Sequence, residues 1–277
     1  MSVRIERYDD VIRLRMRSFG ARPVGLDVSA YLLRGILIDT GFHRARGALE
    51  TAISEIGVRA AVVTHWHEDH AGNVELLARR GVPLFLRVDT ASILRRRPPI
   101  RLYRRVVWGH PPPLRFAVRA YALDELAVIH TPGHSTDHQV VWDAASATLF
   151  SGDLWLGVRA RVMHEDEDPY TLIESLRIVI ALEPRRMFDA HRGLIPNATD
   201  ALRLKIDWLS DVVGQIERHI AEGWTDRVIV KETLGGEEPV AVFSAGEYSR
   251  RNLVRAVRRR VETASPVHRK RGVAFFG

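Results

Sequence analysis

The chain has 277 residues, 46% of them hydrophobic, a formal net charge of +7 and no cysteine. That is enough apolar material for one large domain, or for one domain with an appendage. The missing cysteine removes disulfides, thiolate metal ligands and cysteine nucleophiles, so any metal here must be held by histidine and carboxylate.

The N-terminal segment MSVRIERYDD carries charge where a secretory peptide needs an apolar stretch, and no apolar run approaches the ~20 residues that span a bilayer. A cytoplasmic chain without membrane contact is therefore expected. The positive charge can draw polyanions such as RNA by counterion release. Only Lys205, Lys231 and Lys270 are lysines, however, and an arginine-rich composition can also be a habit of the source genome.

In chain order, short strands are expected between residues 4 and 38, where Val11-Ile12-Arg13-Leu14 and Ser29-Ala30-Tyr31-Leu32-Leu33 are separated by Gly20, Pro23 and Gly25. Leu37-Ile38-Asp39-Thr40-Gly41 ends a buried strand in a turn. Residues 45–56 have helical spacing, Ala60-Ala61-Val62-Val63-Thr64 reads as a buried strand, and residues 69–80 read as a helix closed by Gly81. Pro83-Leu84-Phe85-Leu86 supplies another strand. Residues 92–115 break this rhythm with two proline clusters around Tyr103-Arg104-Arg105-Val106-Val107-Trp108. They form either a lid or binding loop, or a surface excursion that joins two strands.

Strands resume at residues 126–130, 139–142 and 147–150, a helix follows at 169–182 with Pro169 at its start, and Met187-Phe188-Asp189 is a last short strand. After Pro196 the pattern is helical, with amphipathic stretches at 198–222 and 247–261. The expected division is residues 1–196 as a mixed α/β unit and 197–277 as a helical region.

Chemistry concentrates where these strands end. Thr64-His65-Trp66-His67-Glu68-Asp69-His70 follows a buried strand, and an extended backbone sends His65 and His67 to the same side while Asp69 and His70 sit where the chain turns. Three further strand ends carry the same residue types: Gly133-His134, Gly152-Asp153, and Asp189-Ala190-His191. The two glycines let the backbone turn tightly and present His134 and Asp153 inward. Imidazoles with carboxylates suit Zn²⁺ best among common metals, with Fe or Mn also admissible.

These residues resemble the metallo-β-lactamase superfamily, whose marks are an Asp in a first turn, His-x-His-x-Asp-His, a later His, a Gly-Asp and a last His. All occur here in order as Asp39, the 65–70 motif, His134, Gly152-Asp153 and His191. The resemblance covers residues 25–195. It implies an αββα four-layer sandwich with the metals at one edge and a C-terminal region that is helical or winged-helix-like. It further implies two Zn²⁺ ions, the first held by His65, His67 and His134, the second by Asp69, His70 and His191, with Asp153 between them. Asp69 and Asp153 are the expected catalytic carboxylates, and Asp39 either orients a ligand histidine or caps a turn. Thr64 and Ser135 bond either the ligand loops or local backbone.

Thr64-His65-Trp66-His67 with Thr131-Pro132-Gly133-His134-Ser135-Thr136-Asp137-His138 is similar to the branch containing the mitochondrial β-lactamase-like endoribonuclease and its bacterial relatives. Asp137 and His138 then back the ligands, contact substrate, or serve the start of a strand. The last motif departs from the family's Gly-His-Gly, since Ala190-His191-Arg192-Gly193 stands here. Arg192 either holds a phosphate or carboxylate at the site mouth or is an exposed arginine. His43, His110, His130, His164 and His219 fall outside the motif and are expected at the surface or in packing. Trp66 is expected in the core, as are Tyr103, Trp108 and Trp155, with pocket lining or base stacking as the other reading for these three.

Three activities compete. The favoured one is metal-dependent hydrolysis of a small-molecule ester, thioester or lactone. The second is single-strand RNA cleavage, suggested by the branch, the charge and the arginines around 95–105. The third is an iron-dependent redox reaction, whose flavin-linked diiron version is disfavoured because those members carry a carboxylate where His67 stands. A homo-oligomer is compatible with all three.

Overall fold

The computed structural model describes residues 2–18, 27–119 and 123–264; the expected separators Gly20, Pro23 and Gly25 lie outside them. A six-stranded sheet runs in the order β1 (Val3–Tyr8), β2 (Val11–Arg17), β3 (Asp27–Leu33), β4 (Ile36–Ile38), β5 (Ala60–Val62) and β6 (Leu84–Phe85). Its first four strands are antiparallel neighbours, and β4, β5 and β6 are parallel, joined through α1 (Arg46–Ile56) and α2 (Val74–Arg79). Next come α3 (Val88–Arg96) and α4 (Leu102–Trp108), so half of residues 92–115 is helical and the rest connects these helices to their neighbours.

The second sheet is built from β7 (Ala127–His130), β8 (Gln139–Asp143), β9 (Thr148–Gly152), β11 (Arg186–Asp189) and β12 (Gly193–Ile195), in the order β12-β11-β9-β8-β7. Only β9 and β11 pair in parallel, with α5 (Pro169–Ile180) on the connection between them. Asp168 caps α5 by accepting from the backbone N–H of Tyr170 and Thr171, and Pro169 opens it. A small third pair joins β10 (Met163–His164) to β13 (Tyr248–Ser249). The C-terminal region is helical as expected: α6 (Ala198–Ala221), α7 (Asp226–Leu234), α8 (Pro239–Phe243) and α9 (Arg250–Ala264).

Strand alternation explains the layering. On β3, Tyr31 and Leu33 face a core shared with Phe150 of β9 and Phe188 of β11, while Val28, Ala30 and Leu32 face Leu49 and Ile53 of α1. On the second sheet Val141, Phe150 and Phe188 point to the first sheet, whereas Trp142, Leu149 and Met187 point to α5, α6 and α9. Helices therefore cover both outer faces of two packed sheets, giving the expected αββα sandwich.

One expectation needs correction. The helix read over 69–80 is only α2 (Val74–Arg79). Residues 65–73 form a folded loop because their backbone groups bond to the segment after β4: the His70 carbonyl accepts from Thr40 N at 2.7 Å, and Gly72 N donates to Gly41 O at 3.0 Å. Asn73 Nδ2 adds donations to the carbonyls of Thr40 and Phe42. These long-range bonds satisfy the groups that a longer helix would have paired.

Candidate metal centre

Four strand ends converge on one edge. Asp39 follows β4, the 65–70 loop follows β5, Asp153 follows β9 and His191 follows β11, while His134 sits on the turn between β7 and β8. Gly133 and Gly152 take positive φ values of 130° and 51°, as the tight turns before His134 and Asp153 require.

Two groups of side chains result, each with ligand-type atoms within 4.8 Å of one another: His65, His67, His134 and Asp153, and beside them Asp69, His70 and His191. In the first group His65 Nε2 lies 2.9 Å and His134 Nε2 3.1 Å from His67 Nδ1. In the second, Asp69 Oδ2 lies 3.8 Å from His70 Nε2 and 3.6 Å from His191 Nε2. Asp153 stands between them, Oδ2 3.4 Å from His134 Nε2 and Oδ1 3.2 and 3.3 Å from the Nε2 atoms of His70 and His191.

Most outer ring nitrogens are tied down. His70 Nδ1 bonds Asp39 Oδ2 at 2.8 Å, His191 Nδ1 donates to the Asp27 carbonyl at 2.8 Å, His65 Nδ1 meets Thr64 Oγ1 at 3.1 Å, and His134 Nδ1 is 3.2 Å from Glu167 Oε1. The first three contacts each fix a ring and leave its other nitrogen facing the centre, whereas the approach of Glu167 to His134 Nδ1 lacks hydrogen-bond geometry. Asp39 thus takes the orienting role and also accepts from Thr64 N at 2.7 Å.

The donor set fits a cation. His70 Nε2 and Asp153 Oδ1 are buried without a hydrogen-bond partner. Buried polar atoms are seldom left so, and aggregated lone pairs are what a metal ion would satisfy. The titration pattern agrees. Burial, then the neighbouring imidazoles, holds His65 and His67 well below the ordinary histidine value. For His70 and His191 burial acts the same way but is outweighed by Asp153 and Asp69, which raise His70 well above its ordinary value and His191 to about 9. Burial would raise Asp153; His70 and His191 outweigh it and hold Asp153 well below the usual carboxylate range. Metal binding must then displace the protons these pairs hold.

Asp137 and His138 are fully buried and back the loops rather than meet a substrate. Asp137 accepts from Trp66 N at 3.0 Å, Thr90 Oγ1 at 2.8 Å and Ser135 Oγ at 2.7 Å, pinning the 65–70 loop. His138 donates through Nδ1 to Thr131 and accepts the Asp153 N–H on Nε2 at 3.1 Å. Burial, then His134, lowers its pKa to about 3, which keeps Nε2 an acceptor.

An apolar cavity of about 380 Å³ opens beside His67, Asp69, His134, Asp153 and His191. Its walls are α4, with Tyr103, Arg104, Val107 and Trp108; the loop from Leu154 to Met163; α6, with Lys205 and Leu209; and Val240, Phe243 and Tyr248. Tyr103, Trp108 and Trp155 therefore line the pocket as well as packing. Arg192 lies on the wall next to His191, its Nε donating to Leu156 O at 2.9 Å.

Several residues of this site carry no motif. Arg104 bonds Glu68 Oε2 through Nε and Nη2, and Glu247 Oε1 through Nη1 at 3.0 Å. Glu247 also accepts from Tyr103 at 2.6 Å and lies 3.2 Å from His164 Nε2. His164 is thus a buried member of this network, 6.0 Å from the His67 ring, rather than ordinary packing. Asp189 takes the backbone N–H groups of Leu156, His191 and Arg192. Lys205 sits in the buried stripe of α6 between Leu202 and Leu209, where the spacing calls for an apolar residue; that mismatch was its one sequence signal.

A family model described as "Metallo-beta-lactamase superfamily" matches residues 23–207. The "Beta-lactamase-like protein 2 homolog" of Drosophila melanogaster is 28% identical over 269 residues, 84% of this chain and 85% of that protein. An "Atrochrysone carboxyl ACP thioesterase" of Aspergillus fumigatus is 29% identical over 181 residues, 62% of this chain and 51% of that protein. Among solved structures, a metallo-beta-lactamase family protein from Thermus thermophilus superposes with a TM-score of 0.65 at 20% identity, covering 93% of this chain and 95% of its own. TMB-1 gives 0.61 at 17%, covering 76% and 98%.

Proposed function

The chain belongs to the metallo-beta-lactamase superfamily of metal-dependent hydrolases, and on that premise we propose that it uses two Zn²⁺ ions to hydrolyse a small-molecule ester, thioester or lactone. The observation that carries the reading is Asp153, with one oxygen turned to each group of histidines. His65, His67 and His134 would hold one ion and Asp69, His70 and His191 the other. Residues 1–196 would form the catalytic unit, and 197–277 an appended region that completes the pocket.

Bound metal ions would bring the pKa of water down to about 7 and polarise the scissile carbonyl, replacing a side-chain nucleophile. Asp69 makes no hydrogen bond among the described residues and lines the pocket, so the carboxylate oxygen not given to the ion could accept the proton of an attacking water. Asp39 would hold the ring of His70 in register, and Glu167 lies 3.2 Å from the outer nitrogen of His134. The apolar walls exclude bulk water and strengthen every charge interaction inside.

A thioester is favoured within this class by the thioesterase name of the Aspergillus relative. RNA cleavage is less well supported, because three of the six arginines between residues 95 and 105 are held by partners within the protein, whereas Arg95, Arg96 and Arg105 are exposed. Arg97 bonds the carbonyls of Ala71 and Pro112, Arg101 pairs with Glu165 and Glu247, and Arg104 is buried. The deciding experiment measures native and Asp153→Ala protein against ester, thioester, lactone, unstructured RNA and phosphodiester substrates, with bound metal counted in each preparation. The expected result is turnover of a member of the ester, thioester or lactone group that falls to background in Asp153→Ala together with metal content. A zinc-loaded native protein that turns over none of these, or only RNA, refutes the proposal.

A further inference from the structure

On the helical wall of the pocket, between Leu202 and Leu209 of α6, Lys205 is an anomaly. It is 3% exposed, yet its ammonium makes one hydrogen bond, to Gly157 O at 3.0 Å, and lies 5.7 Å from the Trp208 ring. Two N–H groups are left without an acceptor, and no ion pair to Lys205 exists among the described residues. The remaining residues of the chain contain no Asp or Glu. Two carboxylates, Glu167 and Asp189, attract Lys205 without forming an ion pair with it. Glu167 Oε1 accepts the His164 N–H and lies 3.2 Å from His134 Nδ1, and Asp189 takes three backbone N–H groups.

Arg192 shares this corner. A side chain added at Gly157 would come within 2.9 Å of its Nη2, so Gly157 neighbours both the guanidinium and the ammonium. Arg192 stacks over Trp155 at 5.9 Å and likewise has no carboxylate partner among the described residues. Two cations thus line one wall of a single cavity, one of them buried, and neither forms an ion pair among the described residues; Glu167 and Asp189 attract Lys205 only from beyond ion-pair distance. A buried charge is tolerated when something pairs with it.

Resting on the hydrolase reading above, we propose that Lys205 and Arg192 form an anion-binding corner of the pocket, and that the natural substrate carries a carboxylate or phosphate on the part that fills the cavity, away from the scissile bond. Recognition would combine a compact ammonium with a planar guanidinium, a pairing suited to either anion.

The test uses matched esters and thioesters that differ only at the distal end: free carboxylate, phosphate monoester or neutral carboxamide, placed on the acyl chain in one series and on the leaving group in another. The zinc-loaded protein should favour an anionic member over its neutral counterpart by about tenfold or more in kcat/KM. Lys205→Met should abolish that ratio and Lys205→Arg should retain most of it. The ratio is read within one preparation, so a variant that folds poorly lowers both values without changing it. No preference in the native protein, or a preference that survives Lys205→Met, overturns the proposal and leaves Lys205 as a tie between α6 and the Gly157 loop. If nothing is hydrolysed, the hydrolase reading fails separately. Quenching of the pocket tryptophans by the free acid against the free amide, in native and Lys205→Met protein, then decides the anion corner, with equal binding in all combinations refuting it.

Discussion

Arg104→Met removes a guanidinium from a nearly dry site while keeping an apolar stem of similar length. Side-chain exposure is 4% for Arg104, 1% for Glu68 and 7% for Glu247. Glu247 would keep Tyr103 and His164, so the damage falls on Glu68, whose Oε1 already lacks a partner and whose Oε2 would lose both of its donors. Breaking a buried pair from one side costs about 3–5 kcal/mol, and with Glu247 still served the lower end, about 3 kcal/mol, is expected near neutral pH. The pH dependence carries the sharper test. Burial already raises Glu68 above the usual carboxylate value against the pull of Arg104, and without Arg104 it rises further. A carboxyl that is easier to protonate when folded loses stability as pH rises above its unfolded value, so the deficit should be largest at about pH 7 and shrink towards about pH 5. Urea unfolding at both pH values measures it, and Glu68→Gln combined with Arg104→Met should recover most of the loss. A deficit below about 1 kcal/mol, or one of equal size at both pH values, would refute the reasoning.

Asp39→Asn should weaken metal binding by about 10- to 100-fold, because the acceptor that aligns His70 is changed while the fold keeps its turn; titration against a chromogenic chelator reads this directly. Gly133→Ala should destabilise by several kcal/mol or prevent folding. An added Cβ would sit 2.5 Å from the backbone of Leu172 at a φ of 130°, and thermal melting of the purified variant checks it. Burial lowers Lys205 from 10.5 to about 8, so between those values the unfolded chain binds more protons than the folded one and stability should rise with pH, by at most about 3 kcal/mol. Unfolding curves across that alkaline window should show the rise in native protein and its loss in Lys205→Met.

The sequence by itself determined the layered α/β architecture and the set of ligand-type residues. Both are written locally: short, nearly continuous apolar runs mark strands buried on both faces such as β3, and His, Asp and Gly at strand ends mark where side chains can leave the sheet edge together. It misjudged the helix after the His-x-His motif, because the backbone of residues 65–73 is claimed by the segment after β4, a pairing between distant parts of the chain. Only the tertiary structure decided that Asp137 and His138 are buried supports, that α4 and the C-terminal region wall the pocket, and that Glu68, Arg104, Glu247 and His164 form one charged network. Arg104 and Glu247 are 143 residues apart, and neither carries a spacing that names the other. Periodicity identifies which face of α6 is buried, and Lys205 departs from it, a signal that the sequence analysis passed over. What that ammonium faces is set by the loop from the second sheet that folds over it, which no local pattern encodes.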